Sequence, residues 1–269
     1  MVTISIITVG MNHLSYLKYL FSSIFNNGAI DVPFELIYID NCSTDQSVEF
    51  IKEKYPQVKI LVNDQPLGFG ENNNKGVLAA TGEYIAIINP DIILKAGALD
   101  LLYKFIESHK EIGIVVPQLL NPDGTIQYSV RGFISLSKLW ARLTTKGNDN
   151  SSNPKVEEYL CKKLDFNKTQ AIDWAIGAAM VMKKDTFAAL GGFDTDYFLY
   201  MEDEDLCLRC WKMNRSVIYY PKAQMIHNHL RGSTKLGRKT LMHLNSMKTF
   251  FLKHGFNIKS FANRKEQQI

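Results

Sequence analysis

Short β-branched apolar runs alternate with amphipathic stretches through the first half of the chain. Ile4–Val9, Phe34–Ile39, Val58–Val62, Tyr84–Ile88 and Ile112–Val116 are each bounded by polar residues, and each predicts a buried strand. Between them Leu14–Phe25, Ser47–Tyr55, Asn72–Ala80 and Ala96–Ser108 place apolar residues at helical spacing. Ser43-Thr44-Asp45 offers N-caps for the second of these helices. Strands alternating with helices imply an α/β fold with a mostly parallel central sheet flanked by helices. Ligands of such sheets sit beyond the carboxyl ends of the strands. The residues just after each strand are therefore the first place to look for chemistry.

The polar stretch Thr144–Pro154 (TTKGNDNSSNP) breaks this pattern and predicts a loop. Beyond it lie an apolar run over Ile172–Met182, an acidic helix start at Glu202–Asp205, and a strand pair at Val217–Tyr220 and Gln224–His227. From Lys235 onward the chain is basic and amphipathic. Leu241, Leu244 and Phe251 recur at helical spacing beside Met247 and Phe250, and the surrounding lysines and arginines meet only Glu266. Such a tail either packs on the domain with a solvated basic face or touches an anionic membrane surface. The expected organisation is one domain over residues 1–233, with a nucleotide-binding half to about 116 and an acceptor half from 117, followed by a helical tail over 234–269.

Composition narrows the class. The chain has 269 residues, 46% of them hydrophobic and 22% charged, which suits a globular protein with a substantial core and excludes disorder and fibrous repeats. A formal charge of +4 is too mild to argue for nucleic acid as a partner. No stretch of 18 apolar residues is present, and the N-terminus reads as a strand rather than a signal peptide. Cys207 and Cys210 form a CxxC without a second pair to complete a zinc site, and read as reduced thiols on a partly buried helix. Sequons begin at Asn41, Asn150, Asn167 and Asn214, but such tripeptides are frequent by chance. A reducing cytoplasmic setting is expected, with the inner face of the plasma membrane as a site of peripheral contact.

Five stretches carry candidate chemistry. Asp40-Asn41-Cys42-Ser43-Thr44-Asp45 follows a strand, and its first carboxylate suits the imide N–H of a uracil or thymine ring, whereas Asp45 suits a helix cap. Gly68-Phe69-Gly70 leads into a helix with Asn73 where a dinucleotide fingerprint needs a third glycine, so that fingerprint fails; a ligand approaching the backbone N–H groups remains open. Asn89-Pro90-Asp91 follows another strand, where one carboxylate serves either as a turn or as a ligand of a hard divalent cation. Glu202-Asp203-Glu204-Asp205 sits in an aromatic-rich run, where clustered acids either favour the helix dipole or raise one pKa into a general base's range. His227-Asn228-His229-Leu230-Arg231-Gly232-Ser233 combines imidazole with a phosphate-clamping Arg.

In this order and spacing the motifs resemble the family 2 glycosyltransferases with the GT-A fold, particularly bacterial rhamnosyltransferase-like members. The resemblance runs from Ser5 to about Ser233 and includes Ile6–Asn12, Trp174-x-x-Gly177-Ala178, Gly192-Phe193-Asp194 and Glu202-Asp203-x-Asp205-Leu206-x-x-Arg209. It implies an inverting transfer of a sugar, with rhamnose suggested by the subfamily, from a dTDP- or UDP-sugar. The implied acceptor is a hydroxyl of a glycan or lipid-linked saccharide in cell-surface polysaccharide synthesis. By this resemblance Asp203 is the catalytic base. Val9, Asn12, Asp40, Asn41, Gly68, Asn73, Asn89, Asp91 and Arg231 bind the nucleotide, while Asp91 and His227 hold Mg²⁺ or Mn²⁺. Trp174, Gly177 and Glu202 line the acceptor side. The chain departs from the family at Gly10-Met11-Asn12, where an aromatic or hydroxyl neighbour of the base is usual, and at Asn89, where relatives carry an Asp. A sugar-phosphate nucleotidyltransferase and a non-catalytic nucleotide-binding scaffold are the competing readings. The first lacks a basic glycine-rich loop near the N-terminus, and the second has no need of Asp91, Asp203 and Arg231 together.

Overall fold

The apolar runs of the first half become strands that bury nearly every side chain. The structure, a computed structural model, describes residues 2–26, 30–228 and 238–262. Ile4–Gly10 (β1), Leu14–Phe25 (α1), Phe34–Asp40 (β2), Ser47–Lys54 (α2), Lys59–Val62 (β3), Phe69–Leu78 (α3) and Tyr84–Ile88 (β4) alternate as the periodicity predicts. Ile92–Leu94 (β5), Ala98–Ser108 (α4) and Ile112–Leu120 (β6) continue the series. The second half adds Val130–Arg131 (β7), Leu136–Thr144 (α5), Pro154–Tyr159 (α6), Gln170–Ala171 (β8), Trp174–Ala175 (β9), Ala179–Lys183 (β10), Lys184–Ala189 (α7), Glu202–Lys212 (α8), Ser216–His227 (β11) and Arg238–His254 (α9).

One sheet dominates, in the order β3-β2-β1-β4-β10-β6-β11-β5, with β8 paired to β11. The pairs β1–β2, β1–β4, β2–β3 and β6–β11 are parallel, while β10 runs antiparallel to both β4 and β6. Because β10 is inserted between two strands of the first half, both halves share one core. Every residue of β4 and β6 is buried, as expected of central strands covered on both faces. Helix α1 buries Leu17, Leu20, Phe21 and Ile24, the stripe that a 3.6-residue period sets against a sheet.

Several expectations change. Val217–Tyr220 and Gln224–His227 are not a pair but one strand, β11, whose register against β6 shifts between Tyr220 and Gln224. Pro221 at that shift lacks the N–H a regular ladder needs, so the irregularity absorbs it. Helix α3 starts at Phe69, earlier than the Asn72 expected from apolar spacing. On α9 the buried face is Met247, Phe250 and Phe251, whereas Leu241 and Leu244 are exposed. The tail's basic residues also find acids that sequence proximity hides: Lys253 pairs with Asp194 and, at 2.6 Å, with Asp196, and His254 Nε2 lies 2.6 Å from Asp205 Oδ1. The tail thus packs on the loop before α8. Among the described residues no helix is long and apolar enough to cross a membrane.

Candidate active site

The ends of β1 and β2 form the first corner. Asp40 is buried at the last position of β2, its Oδ1 accepting from the Tyr38 hydroxyl (3.2 Å) and its Oδ2 from the Ser43 N–H (3.0 Å). Gly10 is its register partner on β1, where a Cβ would collide with the Tyr38 ring and hydroxyl. Asn12, with φ 58°, ties the two loops together: its N–H donates to Ser43 Oγ (3.0 Å) and its Oδ1 accepts from the Thr44 N–H (2.7 Å). Asp45 caps twice, accepting from the Leu14 N–H that opens α1 (2.8 Å) and from the Ser47 N–H of α2 (3.2 Å). Those bonds hold its carboxyl below the usual range despite partial burial. Val9 is half-buried beside this corner.

Other residues expected to touch the nucleotide are engaged by protein. The Asn41 amide accepts from the Leu67 N–H (2.8 Å) and donates to the Leu67 carbonyl (3.0 Å), closing β2 onto the loop before α3. Asn73 donates to the Phe69 carbonyl one turn earlier (2.9 Å). Gly68 does not leave an open cradle for a ligand: a Cβ there would lie 2.7 Å from the Phe198 carbonyl oxygen, and the Phe69 N–H donates to that same carbonyl (3.0 Å). Gly70 meets Phe193 in the same way. The glycine-rich turn therefore lets the 193–198 loop pack closely. Asn74 completes the junction by exchanging two hydrogen bonds with the Phe193 backbone (2.8 Å each).

A second corner follows β4 and β11. Asp91 Oδ1 is buried with no hydrogen-bond partner among the described residues, and His227 Nε2 lies 3.5 Å from it. His227 Nδ1 is 2.6 Å from Gln127 Oε1, and the Gln127 amide donates to Asn121 Oδ1 (3.0 Å). That network assigns the proton to Nδ1 and turns the Nε2 lone pair toward the carboxylate. A buried carboxylate oxygen without a hydrogen bond, 3.5 Å from an imidazole nitrogen, has the donor chemistry that a hard divalent cation accepts. No group of three acidic, His or Cys ligands exists among the described residues. Asn89 contributes a backbone N–H bond to the Ala178 carbonyl (2.8 Å) that fixes this turn to β10. Arg231 lies outside the described residues.

The third corner is the start of α8. Tyr200 (φ 71°) and Met201 (φ 73°) both adopt the left-handed region, which costs non-glycine residues on the order of 1–3 kcal/mol each and is tolerated where surrounding contacts enforce it. This turn sends the four acids to different places. Asp203 is part-buried, its Oδ2 accepting from the Gly177 N–H (2.9 Å) and its Oδ1 from the Glu204 N–H (2.9 Å). Glu204 is buried and accepts from the Ile134 N–H (2.7 Å). Asp205 pairs with Arg209 Nε (2.7 Å) and with His254. Glu202 is buried, with one carboxylate oxygen unpartnered.

Burial raises the pKa of Asp203, opposed by its two backbone N–H donors and by the charge of Arg131. Glu202 is pushed up much further, by burial and by Asp203 beside it. With one acid holding its proton more firmly, the other is the carboxylate free to ionise. Gly177 places its N–H at Asp203 and has no Cβ to crowd it, since one would lie 3.3 Å from the Asp203 Cβ. Trp174 does not line an open acceptor surface: it is buried and donates to the Gly132 carbonyl (3.1 Å).

A cavity of about 670 Å³ is walled by Gln127, Tyr128, Arg131, Ile176, His227 and Asn228 among others, and so reaches the imidazole of the second corner. Another of about 690 Å³ lies behind Gly132, between Lys138 and Asp173, and neither cavity has Asp91 or Asp203 in its walls. Gln127 and Arg131 had no motif to announce them. They reach the site only because the 121–131 segment folds back beside β6 and β9.

Comparison with known proteins bears on the family and the fold. The family model described as "Glycosyl transferase family 2" matches residues 5–189. The chain is 29% identical over 228 residues to the N-acetylglucosaminyl-diphospho-decaprenol L-rhamnosyltransferase of Mycobacterium tuberculosis, covering 80% of this chain and 72% of that one. It is 30% identical over 230 residues to the rhamnosyltransferase WbbL of Escherichia coli, covering 82% of each. A solved structure of GalNAc-T7 with UDP, GalNAc and Mn²⁺ superposes with a TM-score of 0.62 at 16% identity, over 86% of this chain and 44% of that one, and shares the fold.

Proposed function

We propose that this chain, which belongs to glycosyl transferase family 2 and has the GT-A fold, is an inverting, metal-dependent enzyme that moves a sugar from a nucleoside diphosphate to an acceptor hydroxyl. The observation that carries the reading is the chemistry of two acidic corners. In one Asp203 is held by two backbone N–H groups with its pKa raised; in the other Asp91 Oδ1 is buried without a hydrogen bond among the described residues, beside His227.

Asp203 takes the proton of the attacking hydroxyl. Its raised pKa makes it a stronger base than a solvated carboxylate, while the Gly177 and Glu204 N–H groups fix its orientation. Asp40, buried at the end of β2, receives the nucleobase. Asp91 and His227 hold a Mg²⁺ or Mn²⁺ ion, which supplies positive charge against the leaving diphosphate when bound. Gln127 keeps the imidazole in the required tautomer. A single positioned base facing a leaving-group clamp gives one displacement and hence inversion, by analogy with single displacement at other anomeric centres.

The two rhamnosyltransferases among its relatives support rhamnose as the sugar and cell-surface polysaccharide synthesis as the setting, and the decaprenol enzyme supports a lipid-linked saccharide as acceptor. Contact with a membrane face would then bring enzyme and acceptor together. The test is a thermal-shift panel of UDP, dTDP and their sugars with and without Mn²⁺ or Mg²⁺. A ligand that binds the folded state raises the midpoint. A shift that grows with metal and disappears in Asp91→Asn is expected; no shift with any nucleotide would overturn the reading.

A further inference from the structure

Helix α9 grips the loop that leads to Asp203 at several points along its length. His243, Ser246, Phe250, Lys253 and His254 stand at helical spacing on one face of it. The His243 ring lies 4.8 Å from that of Tyr200, and the buried Ser246 hydroxyl donates to the Leu199 carbonyl (2.9 Å). Two turns on, the Lys253 ammonium pairs with Asp194 and, at 2.6 Å, with Asp196, and sits 5.4 Å from the centre of the Tyr197 ring. His254 closes the series at Asp205 Oδ1 (2.6 Å), in the first turn of α8. Lys212 Nζ is 3.0 Å from His254 Nδ1, and an ammonium can only donate. Nδ1 therefore accepts, and Nε2 carries the proton offered to Asp205.

What the helix holds is strained. Tyr200 and Met201 are both left-handed, an arrangement that non-glycine residues keep only where their surroundings impose it. Helix α3 secures the loop upstream, through Asn74 at Phe193 and the Phe69 N–H at Phe198. The contacts of α9 bracket the turn itself, with Leu199 and Tyr200 at its entry and Asp205 at its exit. Asp203 lies between these anchors, and its carboxylate has to meet the Gly177 N–H at 2.9 Å. Asp40, Asp91 and His227 are held by other segments, so the nucleotide and metal corners do not depend on α9 in the same way.

We infer that α9 is a positioning element of the active site, in which Ser246 and His254 hold the Tyr200–Met201 turn and so aim Asp203. This rests on the reading of Asp203 as the base. Both are positioning residues: they act through Leu199 and Asp205 and touch no reacting atom. A base displaced by about 1 Å loses on the order of 100-fold in rate without any loss of substrate affinity. Removing the His254 imidazole does not strand a charge, because Asp205 keeps Arg209 Nε at 2.7 Å. The fold therefore survives a change that loosens the turn.

Ser246→Ala, His254→Leu and His254→Gln are made in the full chain, with Asp203→Asn as the reference. Gln carries an N–H donor where His254 Nε2 stands, so it is the conservative variant. The first readout needs no substrate: amide exchange at Gly177 and Glu204, the two N–H groups that bond to Asp203, with the amides of β4 as the control. The second is transfer from dTDP-rhamnose to an alkyl N-acetylglucosaminyl diphosphate, with donor KM and calorimetric binding of dTDP plus Mn²⁺. Ser246→Ala and His254→Leu should quicken exchange at Gly177 and Glu204 but not in β4. They should also lower kcat by about 10- to 100-fold while donor KM and dTDP affinity hold. His254→Gln should recover most of both. Wild-type exchange and kcat in the first two variants overturns the inference. So does a parallel loss of kcat, dTDP affinity and β4 protection, which marks a role in folding alone. Asp203→Asn at wild-type turnover would overturn the base and this inference together, whereas a slow Asp203→Asn beside unaltered α9 variants overturns this inference alone. A wild type that transfers nothing between these probes would count against the glycosyltransferase reading, while the exchange rates still decide whether α9 aims Asp203.

Discussion

Replacing Asp203 with Asn separates chemistry from binding more cleanly than any other single change. The carboxylate accepts two backbone hydrogen bonds at 2.9 Å, from Gly177 on one oxygen and Glu204 on the other. Asn is nearly isosteric but offers one oxygen, so one of those N–H groups faces an NH₂ and goes unsatisfied. The structural cost is about 1–3 kcal/mol, reduced by the partial exposure of the site. The loss of a general base removes a factor of about 10² to 10⁴, or roughly 3–5 kcal/mol of barrier. Burial makes Asp203 a stronger base than an open carboxylate, which favours the upper half of that range. Asp40 and the Asp91–His227 pair lie in other corners, so nucleotide and metal binding should persist. The assay is steady-state transfer under saturating donor, with calorimetric titration of UDP or dTDP plus Mn²⁺ and a melting curve on the same preparation. A kcat within a few-fold of wild type would refute the assignment of the base. Nucleotide affinity falling in parallel with kcat would refute the separation of the corners.

Three further outcomes follow from the geometry. Turnover should rise with pH through an acid limb above the ordinary 3.8 of an aspartate, because only ionised Asp203 accepts a proton; Arg131→Gln should move that limb higher, and a limb at or below 3.8 would contradict the burial argument. Glu204 is pushed well above 4.5 by burial, so the folded state binds its proton more tightly than the unfolded one, and stability declines as pH rises from about 4.5 through the raised value. Glu204→Gln keeps an acceptor for the Ile134 N–H and should raise the unfolding free energy at pH 8 more than at pH 5, by on the order of 1 kcal/mol in denaturant melts; equal changes at both would show that ionisation is not the cost. Gly68→Ala places a Cβ 2.7 Å from the Phe198 carbonyl and should destabilise by about 1–3 kcal/mol in a denaturant melt, whereas a neutral effect would mean the 193–198 loop yields freely.

Hydrophobic periodicity determined the α/β class and most of the first-half elements, because a strand buried on both faces and a helix packed on one leave direct imprints on residue order. Leu14–Phe25 and Tyr84–Ile88 have the bounds that their patterns predict, and Asp40 and Asp91 stand after strands and Asp203 at a helix start, as expected from the sequence. Local sequence also carried the capping role of Asp45 and the reduced CxxC, whose cysteines are both buried on α8.

Only the tertiary structure distributed the four acids of α8. A run of like residues has no local signal for which one stays partly exposed; the left-handed turn at Tyr200 and Met201 and the N–H of Gly177 leave that place to Asp203. The same holds for the glycines at 68 and 70, where the sequence reads as room for a ligand and the packing gives that room to Phe198 and Phe193. Trp174 and Asn41 likewise carry family-like motifs yet use their polar atoms on the backbone. Arg131, Gln127 and the acids paired with Lys253 and His254 were illegible for a single reason: each acts through a partner dozens of residues away, and periodicity records only neighbours along the chain.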